Sequence, residues 1–342
     1  MSAFNLDTLP PIESFYVRVM GHYFAVKGVV HPPKRVVSVL AWAHNRGRYL
    51  RARRIHQTYS LLKELLPEAI HFDDNAGQVL PAIPLEKVEE VIAPIRRERI
   101  EVGDELTRRA KELIDLIDPT CDLEIGLTGS LSLGLQDDSS DIDLVTFSTS
   151  SSESLLCLLE ELRREGAVSP GRGSVAEDVA LRRGDSAVPA AVWVRLESRK
   201  RLIGEYRGTH FTVKVVPLPD EYWEPYGTRR WRSMGRCVLL SEVTDDRFAI
   251  TTPNAYGVRT IEVIKGPENA SEVVRVESMR SRFSEAAYAQ ETVLVSGRLE
   301  LDILTDTYRV FLGSHPYDAL IPIDLLGDEA QEFLRAAISD CS

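Results

Sequence analysis

The chain has 342 residues, 44% of them hydrophobic and 27% charged, with 52 acidic against 41 Lys and Arg side chains and a formal net charge of −11. This is the balance of a soluble globular chain long enough for two or three domains. It excludes a broadly cationic surface that coats nucleic acid indiscriminately, while leaving room for local basic patches. The start of the chain has no apolar segment of the signal-peptide kind, and no run approaches the ~18 apolar residues of a membrane span. A cytoplasmic protein with no membrane partner is therefore expected. Cys121, Cys157, Cys237 and Cys341 form no C-x-x-C pair and have no histidine at zinc spacing, so they read as free thiols in a reducing compartment. Only eight of the 41 basic residues are lysine, so arginine carries most of the positive charge.

Residues 14–19 and 23–30 read as paired strands around residues 20–22, and residues 35–42 as a third strand after the Pro32-Pro33 stop. Arg46, Arg48, Arg51, Arg53 and Arg54 then cluster around Gly47 and Tyr49. Such a segment either tracks a nucleic-acid backbone or is a solvated turn whose arginines pair with acids elsewhere. Residues 58–66 look like a short amphipathic helix, the Pro-rich residues 80–84 like a linker, and residues 85–93 like a helix ended by Pro94. Val102, Leu106, Ala110, Leu113 and Ile117 recur at three- and four-residue steps, which predicts a helix over 104–117.

Residues 123–147 then read LEIGLTGSLSLGLQDDSSDIDLVTF. An apolar strand runs into Gly129-Ser130, a short helical segment with Gly134 follows, and Ser140-Asp141-Ile142-Asp143 opens a second apolar strand. Two carboxylates one residue apart on a strand share a face and can hold divalent metal. A Gly-Ser at a strand end before a helix offers free N–H groups to a phosphate. Asp143 inside an apolar run is costly to bury without a partner such as a metal.

Beyond this stretch, the serines at 148–152 lead into a helix at 154–165 and a loop at 166–173. Residues 188–196 and 209–216 read as strands separated by a basic turn with Arg199, Lys200, Arg201 and Arg207. Residues 217–236 carry Tyr222, Trp223, Tyr226 and Trp231, which either stack nucleotide rings or pin an interdomain linker. From residue 237 onward short strands alternate with turns, at 237–243, 248–251, 260–264, 273–276, 292–301 and 308–312, with a short helix expected at 281–291. That spacing suggests a small barrel or sandwich, of the OB-like kind.

The Gly-Ser, short helix and Asp-x-Asp, with Ser130 and Asp141 eleven positions apart, resemble the signature of the polymerase β-like nucleotidyltransferase superfamily. The longer layout adds the segments FAVKGVVHPP and FAITTPNAYGVR. It is similar to an archaeal family of predicted nucleotidyltransferases, over most of the chain. The resemblance implies an α+β protein in which a nucleotidyltransferase-fold domain (residues 85–220) lies between an N-terminal α/β segment (1–84) and a C-terminal β-rich domain (237–342), with a linker at 221–236. It implies that Asp141 and Asp143 are catalytic metal ligands for Mg²⁺ or Mn²⁺. Gly129 and Ser130 would hold the phosphates of a nucleoside triphosphate, beside Ser140.

The expected activity is transfer of a nucleoside monophosphate to a hydroxyl of RNA, a protein or a small molecule. RNA would be reached through the arginine-rich segments and the C-terminal domain. In the superfamily a third carboxylate comes from a later strand, which here is 211–216, where Lys214 stands instead. Leu133 also replaces an arginine common in the small members. Three readings follow: Glu197 or Glu205 is the third ligand, or Lys214 binds phosphate, or the chain is a non-catalytic nucleotide- or RNA-binding protein.

Overall fold

Alternating burial along residues 16–26 builds the first hairpin. Strands β1 (Tyr16–Val19) and β2 (His22–Val26) pair antiparallel and turn Val17, Val19, Phe24 and Val26 into a core. The computed structural model describes residues 9–120, 122–150, 152–170, 185–222 and 224–341, so Cys121, Ser151, Trp223 and part of the loop expected at 166–173 lie outside the described residues. Strand β3 (Arg35–Asn45) continues the sheet and folds back into β4 (Arg48–Arg51). The turn between them, Arg46-Gly47, has positive φ at both positions, as a two-residue turn matched to strand twist requires. Helix α1 (Ile55–Leu65) buries Thr58 and Leu62, and β5 (Ile70–Asp73), β6 (Gln78–Pro84) and β7 (Glu90–Ile92) complete a sheet ordered β5-β6-β3-β2-β1-β7, with β4 on β3.

Two expectations change here. Residues 80–84 are strand rather than linker, because burial of Ala82 and Ile83 outweighs the loss of the proline N–H groups, and Arg35 Nη1 donates to the Ala82 carbonyl at 2.9 Å. Residues 85–93 are one 3-10 turn (Leu85–Lys87) and an edge strand rather than a helix. Pro94 disfavours helical geometry before it, and Arg18 on β1 holds Glu89 and Glu90 at 3.2 and 3.1 Å.

Next come β8 (Ile95–Arg96) and α2 (Glu105–Ile117), which Asp104 caps by accepting from the Thr107 N–H at 2.7 Å. Then follow β9 (Gly126–Thr128), the single turn α3 (Gly129–Ser132) and β10 (Ile142–Phe147). After α4 (Ser152–Arg164), α5 (Ala190–Arg199) and β11 (Ile203–Tyr206), the chain returns as β12 (Thr209–Val216) and lies parallel to β10.

Packing divides the chain into two units that interleave in sequence: the chain through Ser148 with Phe211–Thr228, and Thr149–His210 with the chain from Arg229 onward. In the first unit one core joins Phe15, Val17, Phe24 and Val26 of the N-terminal sheet to Val145 and Phe147 of β10 and Val216 of β12. Phe15 meets Phe147 edge-on at 6.0 Å.

In the second unit, residues 190–199 are helix rather than strand. Val192, Trp193, Leu196 and Glu197 are the buried positions, a helical stripe, and Pro189 stands just before the first turn, where a missing N–H costs nothing. Strands β13 (Trp231–Phe248), β14 (Asn254–Lys265), β15 (Val273–Ser278), β16 (Thr292–Asp302) and β17 (Thr307–Leu312) close into a ring in the order β13-β14-β15-β17-β16-β13, and β18 (Ala319–Pro322) adds to β16. The β15–β17 pairing is parallel and the others are antiparallel. The helix expected at 281–291 is one 3-10 turn, Ser281–Phe283, and an unexpected helix, α6 (Ala330–Ser339), closes the described chain.

Cys157, Cys237 and Cys341 are free thiols. Among the described residues no helix is long and apolar enough to cross a membrane.

Two buried polar groups give measurable consequences. His31 Nε2 donates to the Pro11 carbonyl at 2.9 Å while Nδ1 accepts from the Val37 N–H at 3.3 Å, so a second ring proton would face a donor. Burial, outweighing the favourable Pro11 bond and the charge on Glu13, lowers its pKa from 6.5 to about 4. The unfolded chain takes this proton first, so stability is full above pH 6.5 and falls as pH drops towards 4, by on the order of 3 kcal/mol. His31→Asn should flatten urea midpoints across that window. In the ring, Arg309 Nε donates to Glu300 at 2.9 Å, its guanidinium also pairs with Glu277, and it lies 3.6 Å over the Trp231 ring. Arg309→Met should cost about 3 kcal/mol in chemical denaturation, and adding Glu277→Gln and Glu300→Gln should recover part of it.

Candidate functional site

Strand β9 delivers the chain to Gly129 with Thr128 directly opposite Asp143 on β10. At Gly129 the backbone turns with φ +73°, and a Cβ there would lie 2.2 Å from Asp143 Oδ2 and 2.8 Å from Asp143 Cβ. The Asp143 carboxylate thus rests on the bare Cα of Gly129, in space that any other residue would fill. The glycine of the Gly-Ser and the second aspartate of the Asp-x-Asp are one contact.

After Gly129, α3 makes a single turn whose first N–H groups have no intrahelical partner. Ser132 Oγ donates back to the Gly129 carbonyl at 2.9 Å, and the Leu135 N–H donates to the Ser130 carbonyl at 3.0 Å. The loop is fastened at two further points. Gln136 Nε2 donates to Asp104 Oδ2 at 2.8 Å, tying it to the cap of α2. The Asp137 N–H donates to Ser140 Oγ at 2.9 Å, and Ser139 donates from both its hydroxyl and its N–H to Asp137 Oδ1. Those bonds, the Ser139 hydroxyl first, hold the Asp137 carboxyl below the usual carboxylate range. The Ser140 hydroxyl, expected beside a nucleotide, is therefore engaged inside this turn.

Asp141, exposed, stands immediately before β10, and Asp143, half-buried, is the second residue of that strand. Parallel β12 sets Thr212 beside Asp143 and Lys214 beside Val145. The strand expected to carry a third carboxylate is in place, with threonine flanking Asp143 on both sides and the lysine one pleat further along. Glu197 is buried on α5 at 2.9 Å from Lys200 Nζ, and the Glu205 backbone bridges Ser169, both in the second unit. Among the described residues no three His, Cys, Asp or Glu side chains converge as a metal site. Two carboxylates suit an ion such as Mg²⁺, which retains waters and completes its octahedron with substrate phosphate oxygens.

Tyr16 joins the site without any signal in the motif. The Thr128 hydroxyl donates to the Ser14 carbonyl at 2.7 Å, which anchors the entry to β1 against the Gly129 turn. Burial, then the charge on Asp143, raise the Tyr16 phenol above its ordinary pKa, and Arg51 on β4 acts in the opposite sense. Tyr16 therefore remains a neutral O–H donor within the field of Asp143. The charge on Arg51 also lowers the Asp137 carboxyl, as the least of its causes.

The aromatic residues of 217–236 have structural positions. Tyr222 is in the core, the Tyr226 hydroxyl donates to Asp73 Oδ2 at 3.2 Å, and Trp231 lies under Arg309. Trp223 is outside the described residues.

The chain is similar to an uncharacterized protein of Methanocaldococcus jannaschii, 22% identical over 313 residues that span 84% of this chain and 90% of that one. No family model and no solved structure matches the chain.

Gly129→Ala tests the contact. The left-handed backbone and the overlap with Asp143 should together cost about 1–3 kcal/mol in thermal or chemical unfolding. The cost should be smaller in an Asp143→Ala background, where the carboxyl part of the overlap is gone. Equal costs in both backgrounds would show that the contact carries no energy.

Proposed function

We propose that the protein is a Mg²⁺-dependent nucleotidyltransferase of the archaeal cytoplasm that moves a nucleoside monophosphate from a nucleoside triphosphate to a hydroxyl acceptor. The observation that supports this reading is the contact of Asp143 with the Cα of Gly129, which brings the Gly-Ser turn against the Asp-x-Asp. In it, Asp141 and Asp143 hold the metal together with the phosphates, and the N–H groups at Gly129 and Ser130 receive the β- and γ-phosphates. Bound Mg²⁺ or Mn²⁺ supplies neutralisation of charge on the reacting and leaving phosphates. Lys214, one pleat beyond Asp143, meets the pyrophosphate end as a point charge. Tyr16 keeps its proton and donates a hydrogen bond to an anionic oxygen near Asp143. The second unit contributes an OB-like barrel, in keeping with its ring order.

A second reading, nucleotide binding without transfer, is favoured by one observation: among the described residues no third carboxylate stands beside the pair. In this reading no third carboxylate among the described residues takes the acceptor proton.

One experiment separates the two. Each labelled nucleoside triphosphate is incubated with the protein, Mg²⁺ or Mn²⁺ and candidate acceptors, alongside Asp141→Ala/Asp143→Ala. Transfer that falls at least about a hundredfold in the double variant is expected, as for removal of groups acting at the transferring phosphate. Metal-dependent triphosphate binding with no transfer to any acceptor would decide for the second reading. Transfer unaffected by removal of both aspartates would end the first.

A further inference from the structure

The protein is acidic overall, yet its charge is unevenly distributed. Residues 14–63 contain ten Lys and Arg and no Asp or Glu. That stretch makes β1 to β4 and α1, within the same unit as the Asp141–Asp143 pair.

Register places its side chains in a row. Arg18 on β1 is opposite Tyr23 on β2, Tyr23 opposite Trp42 on β3, and Trp42 opposite Arg51 on β4. Cross-strand partners share a face about 4.8 Å apart, so this row crosses four strands on one surface. The Arg51 guanidinium lies 5.9 Å from the centre of the Trp42 ring. Tyr49 packs on Tyr23 and His44 with ring centres 5.1 Å apart in each case. These rings are half-buried with a face to solvent, apart from exposed His44. Arg18 is neutralised by Glu89 and Glu90, whereas Arg46, Arg48, Arg51, Arg53 and Arg54 are exposed and have no carboxylate partner among the described residues.

We propose that this face, Tyr23, Trp42 and Tyr49 bordered by the arginines of the β3–β4 hairpin, binds single-stranded RNA and leads its end towards Asp141 and Asp143. Aromatic rings on an open sheet stack unpaired bases, and adjacent unpaired arginines track the phosphates. The hydroxyls of Tyr23 and Tyr49 and the His44 imidazole can also meet a 2′-hydroxyl, which DNA lacks. A buried role for these arginines is excluded by their exposure, and intramolecular pairing by the lack of a carboxylate partner among the described residues. The Thr128 hydroxyl, bonded to the Ser14 carbonyl at 2.7 Å, joins the sheet that bears the platform to the Gly129 turn. That RNA is the acceptor rests on the function proposed above; that the face binds RNA does not.

The test measures fluorescence anisotropy of a labelled single-stranded RNA with the full chain, without nucleotide or metal, over a range of salt. Binding should weaken steeply as salt rises. Arg51→Ala should lower the slope of log affinity against log salt by about 0.7 for each phosphate no longer neutralised, and Tyr49→Ala should weaken binding about tenfold. Both changes are on the surface, and circular dichroism melts would verify that the variants fold. Asp141→Asn/Asp143→Asn should bind RNA as the wild type does. RNA binding without nucleotidyl transfer would defeat the acceptor role alone, whereas transfer to a small acceptor without RNA binding would defeat the platform alone. Equal binding of the matching DNA strand, preference for anionic lipid vesicles, or affinity unchanged in the arginine and tyrosine variants would overturn the proposal.

Discussion

The contact between the Asp143 carboxylate and the Cα of Gly129 is the constraint on which the first unit turns. It fixes the end of β9 against β10, and so decides where the chain must reverse and where α3 must begin. The Thr128 hydroxyl, on the residue just before, reaches the Ser14 carbonyl and brings the N-terminal sheet to the same point. The apolar side of the arrangement is equally joined, because Phe15, Phe147 and Val216 share one core. Asp143 and the core residues Val145 and Phe147 fall on one face of β10, so polar chemistry and packing follow one another along a single strand.

Charge is arranged with similar economy. An acidic protein keeps non-specific polyanions at a distance, since its mean field repels them. An acid-free stretch from residue 14 to residue 63 inside such a protein is a local exception, visible only at short range once screening by salt is included. The hairpin Arg46-Gly47 extends that exception away from the sheet, and no acidic side chain of its own stretch cancels it. The ring of the second unit follows the opposite rule: Arg275, Arg298 and Arg309 pair with Glu277 and Glu300, so their charge is satisfied internally.

Much of this was legible in the residues. Val102 to Ile117 declares α2 by its spacing, the alternation at 209–216 declares β12, and the order of β12 after the Asp-x-Asp strand suggests their pairing. The register of that pair was not legible. His210, Thr212 and Lys214 have the same parity, and alternation fixes which face a strand shows without fixing its stagger. Sequence order alone therefore points to Lys214 beside the aspartates, whereas Thr212 holds that position. Residues 188–196 mislead for a related reason: a short apolar run has no clear period, and only its neighbours in space select helix over strand. Tyr16 was beyond reach, since nothing local links a strand tyrosine to a carboxylate so distant in the chain.

The interleaving of the two units has a consequence for synthesis. When β10 leaves the ribosome, its partner strand, which begins at Thr209, has still to be made. Through that interval the edge of β10 that will receive β12 is open, with N–H and C=O groups ready to pair with any passing strand. Parallel pairing across so long a crossover is slow to form. Asp143 stands on that edge, and a charged side chain directed inward is one of the devices that discourage mispairing. The same carboxylate that is offered to a metal in the finished protein thus guards the nascent one against the wrong neighbour.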